Sequence, residues 1–395
     1  MEPMFPSDRA IEASALPSLA LELERQSARL AGQISPVTAD VIETHMRVIN
    51  SYYSNLIEGN RTHPRDIRRA MEGDYSEDPA KRDLQLESVA HIEVQKVLAA
   101  DPITSQSLMT ADTLSRIHLL FYKQLPETLR QVRNPDGDRI LMVTPGQFRQ
   151  PGEEVAVGRH LPPLGEKLPD YLARFQEAYR LDRLHGQKQV IAAMASHHRL
   201  AWIHPFPDGN GRVIRLHTDA FLRAIGLGAC GVWCLSRGLA RSSVEYKARL
   251  ARADESRRGD RDGRGALSES GLVEFVEYML RTALGQVSYM EQLLNLAGMM
   301  QRIRAYVSRR GDGLVPGMGP LRVEAGRILE RAFLMGEIAR QEAFEVSGLG
   351  ESVTRKLLQQ LKEEGLLTEQ THRSPLRWAI PEHAESYYFP ELAPV

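Results

Sequence analysis

His204-Pro205-Phe206-Pro207-Asp208-Gly209-Asn210-Gly211-Arg212-Val213-Ile214-Arg215 is the stretch from which the rest of the chain is read. Gly209-Asn210-Gly211 stands where a loop enters a helix. Two glycines let the backbone curl, and the N–H groups at a helix start point outward, so the turn is an anion nest suited to phosphate. Arg212 and Arg215 are three residues apart and share a helix face just beyond the nest. Two guanidinium groups there suit a polyphosphate better than a single carboxylate. Asp208 supplies the one carboxylate with which proteins, using phosphate oxygens and water as further ligands, usually hold Mg²⁺. His204, with an ordinary pKa near ~6.5, can take up a proton at neutral pH. Phe206 is apolar in a polar loop and is expected to anchor that loop in the core. A lone loop histidine or a helix-face arginine pair usually has a structural explanation. Eight apt residues at fixed offsets within twelve positions do not arise by chance.

Outward from the motif the chain reads as helical. Apolar spacing at three and four predicts helices over 187–202 and 212–225 on either side of the loop. Further helices are expected over 16–30, 38–58 with Thr38 as N-cap, 64–70, 77–100, 110–122 capped by Thr110 or Asp112, and 168–184. Residues 271–304 read as one long helix or a pair. Residues 130–165 differ in character, with Gly, Pro and the turn Asn134-Pro135-Asp136-Gly137; a short β-hairpin is expected there, with Val155-Ala156-Val157 its best strand. Residues 253–270 read as a surface loop. Gly311 to Pro320 holds four glycines and two prolines and reads as a linker. Beyond it, three helices (321–334, 338–346, 352–364) and two strands (365–368, 376–380) follow the order of a winged helix-turn-helix. The expected fold is therefore all-α with a small β-hairpin, plus a C-terminal winged helix-turn-helix. The expected division is 1–105 (N-terminal helical region), 106–305 (catalytic core), 306–320 (linker) and 321–395.

The 395 residues carry 50 Lys+Arg against 51 Asp+Glu, a balance that gives no global attraction to nucleic acid or an anionic membrane. No run of 18 or more apolar residues exists, and residues 1–17 do not resemble a secretory signal, so a cytoplasmic protein is expected. Cys230 and Cys234 are too few for a disulfide framework and read as small buried residues. His197-His198 reads as packing rather than as metal ligands.

The motif resembles the Fic family signature H-x-F-x-[DE]-G-N-G-R-x-x-R at every position. Gly146-Gln147-Phe148-Arg149, Val157-Gly158 and Pro162-Pro163 are similar to the family's flap, and Leu235-Ser236-Arg237 with Tyr246 to its downstream segment. The resemblance implies transfer of AMP from ATP, with Mg²⁺, onto a hydroxyl of a protein, the chain itself included. In that reading His204 deprotonates the hydroxyl, Asp208 holds the metal, and Gly209, Asn210 and Gly211 bind phosphate oxygens. Arg212 holds the β-phosphate, Arg215 the γ-phosphate, and Val157 and Gly158 dock the target. Gly211 replaces the Lys of Doc-type kinases, which favours AMP transfer. Ser242 stands near a position where many relatives have Asn beside the base.

Ser54-Asn55-Leu56-Ile57-Glu58-Gly59 resembles the family's inhibitory motif [ST]-x-x-x-E-[GN]. Ser54 and Glu58 share a helix face, and Glu58 stands at a helix C-terminus, where a carboxylate wants a cationic partner. Arg215 is the partner the resemblance implies. Two further readings stand beside an autoinhibited transferase: a DNA-binding regulator that uses the core to sense ATP, and a hydrolase that removes AMP with Glu58. Residues 321–395 hold nine basic residues against twelve glutamates, which leaves DNA binding, protein docking and homodimerisation all open.

Overall fold

Helix-forming periodicity is realised along most of the chain. In the computed structural model, residues 1–133, 137, 139–156 and 160–392 are described. In chain order the helices are α1 (Asp8–Glu12), α2 (Leu16–Gln33), α3 (Pro36–Ile57), α4 (Pro64–Met71), α5 (Pro79–Ala100), α6 (Ala111–Tyr122), α7 (Leu168–Ala178), α8 (Gln187–Ile203), α9 (Asn210–Ala224), α10 (Leu235–Arg241), α11 (Ser243–Ala253), α12 (Glu269–Leu293), α13 (Leu296–Gly311), α14 (Ala325–Met335), α15 (Arg340–Ser347), α16 (Glu351–Glu363) and α17 (Glu382–Tyr388). The strands are β1 (Gln131–Arg133), β2 (Ile140–Met142), β3 (Glu337–Ile338), β4 (Leu367–Thr368) and β5 (Leu376–Trp378). Among the described residues no helix is long and apolar enough to cross a membrane.

Packing divides the chain into two units that interleave along it: residues 1–27, 50–230 and 234–286, and residues 28–49, 231–233 and 287–395. Four contiguous stretches were expected. In the first unit α8 is the centre. It is buried from Val190 to Leu200 and packs on α7 and α9, while α9 also packs on α5 and α6. A helix buried all round needs partners for its polar groups. His197 bonds Thr218 Oγ1 at 2.8 Å and Tyr246 OH at 2.7 Å, and His198 Nε2 lies 3.1 Å from the Leu250 carbonyl. Both are packing residues. Cys234 is buried too, its thiol pushed up to about 12 by burial, whereas Cys230 is only half-buried.

In the second unit α13 packs against α14 and α17, and β3, β5 and β4 form an antiparallel sheet in that order. Trp378 of β5 is fully buried between the rings of Phe333 and Tyr388. Arg310, also fully buried, meets Glu364 through two parallel bonds of 2.8 Å. That fork geometry makes a buried ion pair tolerable.

Local readings depart in several places, among them the helices α1, α10 and α11, which were not expected. Ser35, not Thr38, caps α3: its Oγ accepts from Thr38 N at 3.1 Å, and the Thr38 hydroxyl donates to the Phe333 carbonyl at 2.8 Å. The hairpin is β1–β2, while Val155 and Ala156 form no strand. Val157 and Gly158, like Asn134, Pro135 and Asp136 of the expected turn, lie outside the described residues. β3 and α17 were unexpected: β3 is two residues long and closes a sheet visible only once β5 is in place.

Burial drives several histidines to low pKa: His91 to about 3, and His118 and His217 to about 4. An unfolded imidazole binds a proton near ~6.5, so below that pH the unfolded chain holds more protons than the folded one, and stability falls with pH. The melting temperature is expected to be level from pH 8 to 7 and to drop by on the order of 10 °C by pH 5. A level profile across pH 7 to 5 in scanning calorimetry would contradict this.

Candidate functional site

α8 ends at His204 in a left-handed conformation, φ 49 and ψ 62, with its N–H on the Leu200 carbonyl at 2.9 Å. For a residue with a Cβ this costs on the order of 1–2 kcal/mol, so the surroundings must impose it. Arg149 does much of that. Its backbone N–H bonds the Pro205 carbonyl at 2.9 Å, its Nε the His204 carbonyl at 2.7 Å, and its Nη2 the carbonyls of Pro163 and Ile203 at 2.9 and 3.3 Å. Asn210 completes the clamp, accepting from Phe206 N at 2.9 Å and donating to the Phe206 carbonyl at 2.8 Å. Phe206, fully buried, stacks between His118 (4.0 Å between centroids) and Phe148 (5.0 Å). The Asn210 amide is thus engaged with the loop, and what the residue offers to the expected backbone nest is its place at the start of α9.

Gly209 has φ 77, and a Cβ there would lie 2.6 Å from the Tyr122 ring, so glycine is required on both counts. The Tyr122 hydroxyl donates to Asp208 Oδ2 at 2.5 Å. Asp208 is exposed, and its other oxygen has no hydrogen-bond partner among the described residues. That donor set fits Mg²⁺ held by one carboxylate with water and phosphate, not an all-protein cage. Among the described residues no three His, Cys, Asp or Glu side chains converge on a metal position.

α3 stops where Gly59 turns left-handed, with Gly59 N on Leu56 O and Asn60 N on Asn55 O, each 3.0 Å. The stop leaves Glu58 at the helix end facing α9. Arg215, 3% exposed, donates to Ser54 Oγ at 2.8 Å, Ser54 O at 3.0 Å and Glu58 Oε1 at 2.7 Å. Burial pushes the Glu58 pKa up, but Arg215 and Arg212 outweigh it and hold the carboxylate below its usual range. Arg212 donates to Asn55 Oδ1 at 2.9 Å, pairs with Glu87 at 2.9 Å and lies over the Phe121 ring. A Cβ on Gly211 would sit 2.2 Å from Glu58 Oε1, so a side chain at 211 and this position of Glu58 exclude each other.

Glu58, His204, Gly211 and Arg215 line one cleft of about 980 Å³, joined by Tyr246 and Lys247. Arg212 does not line it, being turned to Asn55 and Glu87. Ser242 lies in a separate depression, its hydroxyl bonded to Gly238 O at 3.0 Å and Tyr278 OH at 2.7 Å. His204 is lowered to about 4 by burial, reinforced by the nearby Arg149 cation, so its imidazole is neutral at pH 7. Asn55, Glu87 and Tyr122 were not singled out from sequence. Asn55 had a signal, since it lies inside the Ser54–Gly59 segment, but Glu87 and Tyr122 sit on ordinary helix stretches.

Residues 108–222, which include α6 through most of α9 and the whole motif, match the Fic/DOC family. The chain carries a Fic/DOC domain homologous to Fic adenylyltransferases. Protein adenylyltransferase Fic of Culex quinquefasciatus is 28% identical over 175 residues, 44% of this chain and 32% of that protein. The Nematostella vectensis protein of the same name is 29% identical over 176 residues, 44% of this chain and 37% of that protein. The chain thus spans about a third of the length of these relatives. A Fic family protein from Desulfovibrio desulfuricans has the same fold with a TM-score of 0.54 at 18% identity, over 96% of this chain and 98% of that one. A Fic domain-containing signaling protein from Bacteroides thetaiotaomicron gives 0.51 at 17%, over 70% and 95%.

Two outcomes follow from the geometry. Gly211→Ala is expected to displace Glu58 and to destabilise the chain by about 1–2 kcal/mol, a loss much reduced in a Glu58→Gly background. Coupling near zero in a double-mutant denaturation cycle would refute the mutual exclusion. NMR of labelled imidazoles in the unliganded chain is expected to show His204 neutral at pH 6; a midpoint near ~6.5 would mean that burial does not control it.

Proposed function

We propose that the chain is an autoinhibited protein adenylyltransferase. The observation that carries this reading is that His204, Gly211 and Arg215 share a cleft with Glu58, which holds Arg215. In the reaction, the neutral His204 imidazole takes the proton of a Ser, Thr or Tyr hydroxyl. The oxygen forms a bond to the α-phosphorus of ATP, the bond to the bridging oxygen breaks, and pyrophosphate leaves. The start of α9 receives phosphate oxygens, and Arg215 and Arg212 hold the γ- and β-phosphates. Asp208 would hold Mg²⁺, which supplies charge neutralisation at the phosphates.

While Glu58 pairs with Arg215, the γ-phosphate lacks its partner and ATP settles with its α-phosphorus out of line. Alignment rather than affinity alone is then lost. The same placement supports a second reading, in which the Glu58 carboxylate takes a proton from water beside His204, the water oxygen bonds to the phosphorus of an AMP-modified target, and the bond to the target oxygen breaks, releasing AMP and the free hydroxyl.

The order α14, β3, α15, α16, β4, β5 supports a winged helix-turn-helix reading of the C-terminal part, with α16 as recognition helix. Two of its three bases are already countered: Arg355 pairs with Glu351, and Lys362 with Glu369 at 3.0 Å. We therefore favour protein docking over DNA binding.

With ATP labelled at the α-phosphate, Glu58→Gly is expected to incorporate on the order of tenfold or more label over wild type, and His204→Ala none. Equal labelling by wild type and Glu58→Gly would remove the brake; label on His204→Ala would remove the base. On a pre-modified target, faster loss of AMP with wild type than with Glu58→Gly would establish the reverse reaction. No salt-dependent shift of random duplex DNA is expected from the full chain.

A further inference from the structure

Only one of the two buried arginines is held by the carboxylate of the inhibitory segment. Arg215 takes a polar group of α3, Ser54, and a carboxylate, Glu58. Arg212 takes the next residue of α3, Asn55, and a carboxylate from a different helix, Glu87 of α5. The two arginines are thus restrained in parallel, each by one neutral and one anionic partner.

Glu87 is more than an acid on a helix face. Its Oε2 accepts from Arg212 Nη2 at 2.9 Å and from Asn60 Nδ2 at 3.0 Å. Asn60 lies two residues past Glu58, and its amide also reaches the Leu84 carbonyl at 2.9 Å. Glu87 therefore ties Arg212 and the turn after Glu58 to the same helix. Its side chain is 20% exposed, so the pair is only partly screened by solvent. Neither Glu87 nor Arg212 lines the cleft that Arg215 lines. Burial opposes the Arg212 charge, but Glu87 and then Glu58 hold its pKa above the ordinary value.

We propose that Glu87, with Asn55, forms a second latch that keeps Arg212 from the nucleotide independently of Glu58. The inference rests on reading Arg212 and Arg215 as ligands of a triphosphate. Removing Glu58 frees Arg215 and leaves Arg212 turned away and neutralised, so the opened site is still short of one cation. Glu87→Gln keeps an oxygen that can accept from both Arg212 and Asn60 while deleting the charge, and so weakens the hold on Arg212 without dismantling the turn.

Isothermal titration of the full chain tests this, with MgATP and AMP as ligands in the Glu58→Gly background. AMP has no β-phosphate and does not report on Arg212. Adding Glu87→Gln is expected to tighten MgATP roughly 3- to 10-fold and to leave AMP unchanged. Asn55→Ala, which removes the other arm, is expected to tighten MgATP by a smaller factor, and it carries the test should Glu87→Gln lower the melting temperature enough to compromise the fold. MgATP binding that is unchanged or weaker in both variants overturns the second latch, because a residue that merely orients Arg212 toward phosphate moves affinity that way. Tightening of AMP and MgATP alike also overturns it. If Glu58→Gly itself binds AMP but gains nothing from the further phosphates of MgATP, the triphosphate reading fails and the latch with it.

Discussion

Two guanidinium groups buried on one face of α9 set the terms for everything around them. A buried cation without a partner is costly, and these two stand a single helical turn apart. The surrounding helices answer with polar rather than apolar faces. α3 presents Ser54, Asn55 and Glu58, and α5 presents Glu87. A wholly apolar seam would be tighter, but it would leave both charges uncompensated. The polar seam satisfies them and keeps them exchangeable, because a phosphate can offer the same bonds that Glu58 offers.

Against that adjustable seam stands a loop held rigidly. His204 occupies a backbone conformation that its side chain disfavours, and Arg149, Asn210 and the Phe206 stack impose it. Of the polar residues in the motif, Asn210 is engaged in shape, and Asp208 and Tyr122 fix each other at the mouth of the nest. His204 and Arg215 face the cleft. Burial keeps the histidine neutral, the state in which an imidazole can take up a proton, as the proposed reaction asks of it.

Glycine at 211 links the two halves. The missing Cβ leaves room for the Glu58 carboxylate against the first turn of α9. An anion is favoured at a helix start and disfavoured at a helix end, and Glu58 stands at the end of one helix and near the start of another. Its place beside Arg215 relieves the first condition and exploits the second.

Much of the site was legible in sequence because its parts are local. Residues 204–215 are contiguous, and a loop-to-helix nest with two arginines at one-turn spacing announces its chemistry without a fold. Most helices were legible too, since amphipathic spacing survives without knowledge of partners. What the sequence could not hold is pairing across the chain. Glu87 is an ordinary helix acid until α5 lies against α9, and Arg149 is a loop arginine until its fork meets the carbonyls of Ile203, His204 and Pro163. Strand β3 is too short to have a period and exists only because β5 runs beside it. The sequence by itself determined which groups have the chemistry proposed here for phosphate. Only the tertiary structure decided which of them face the cleft and which are held away, because that choice depends on which carboxylate each buried arginine meets.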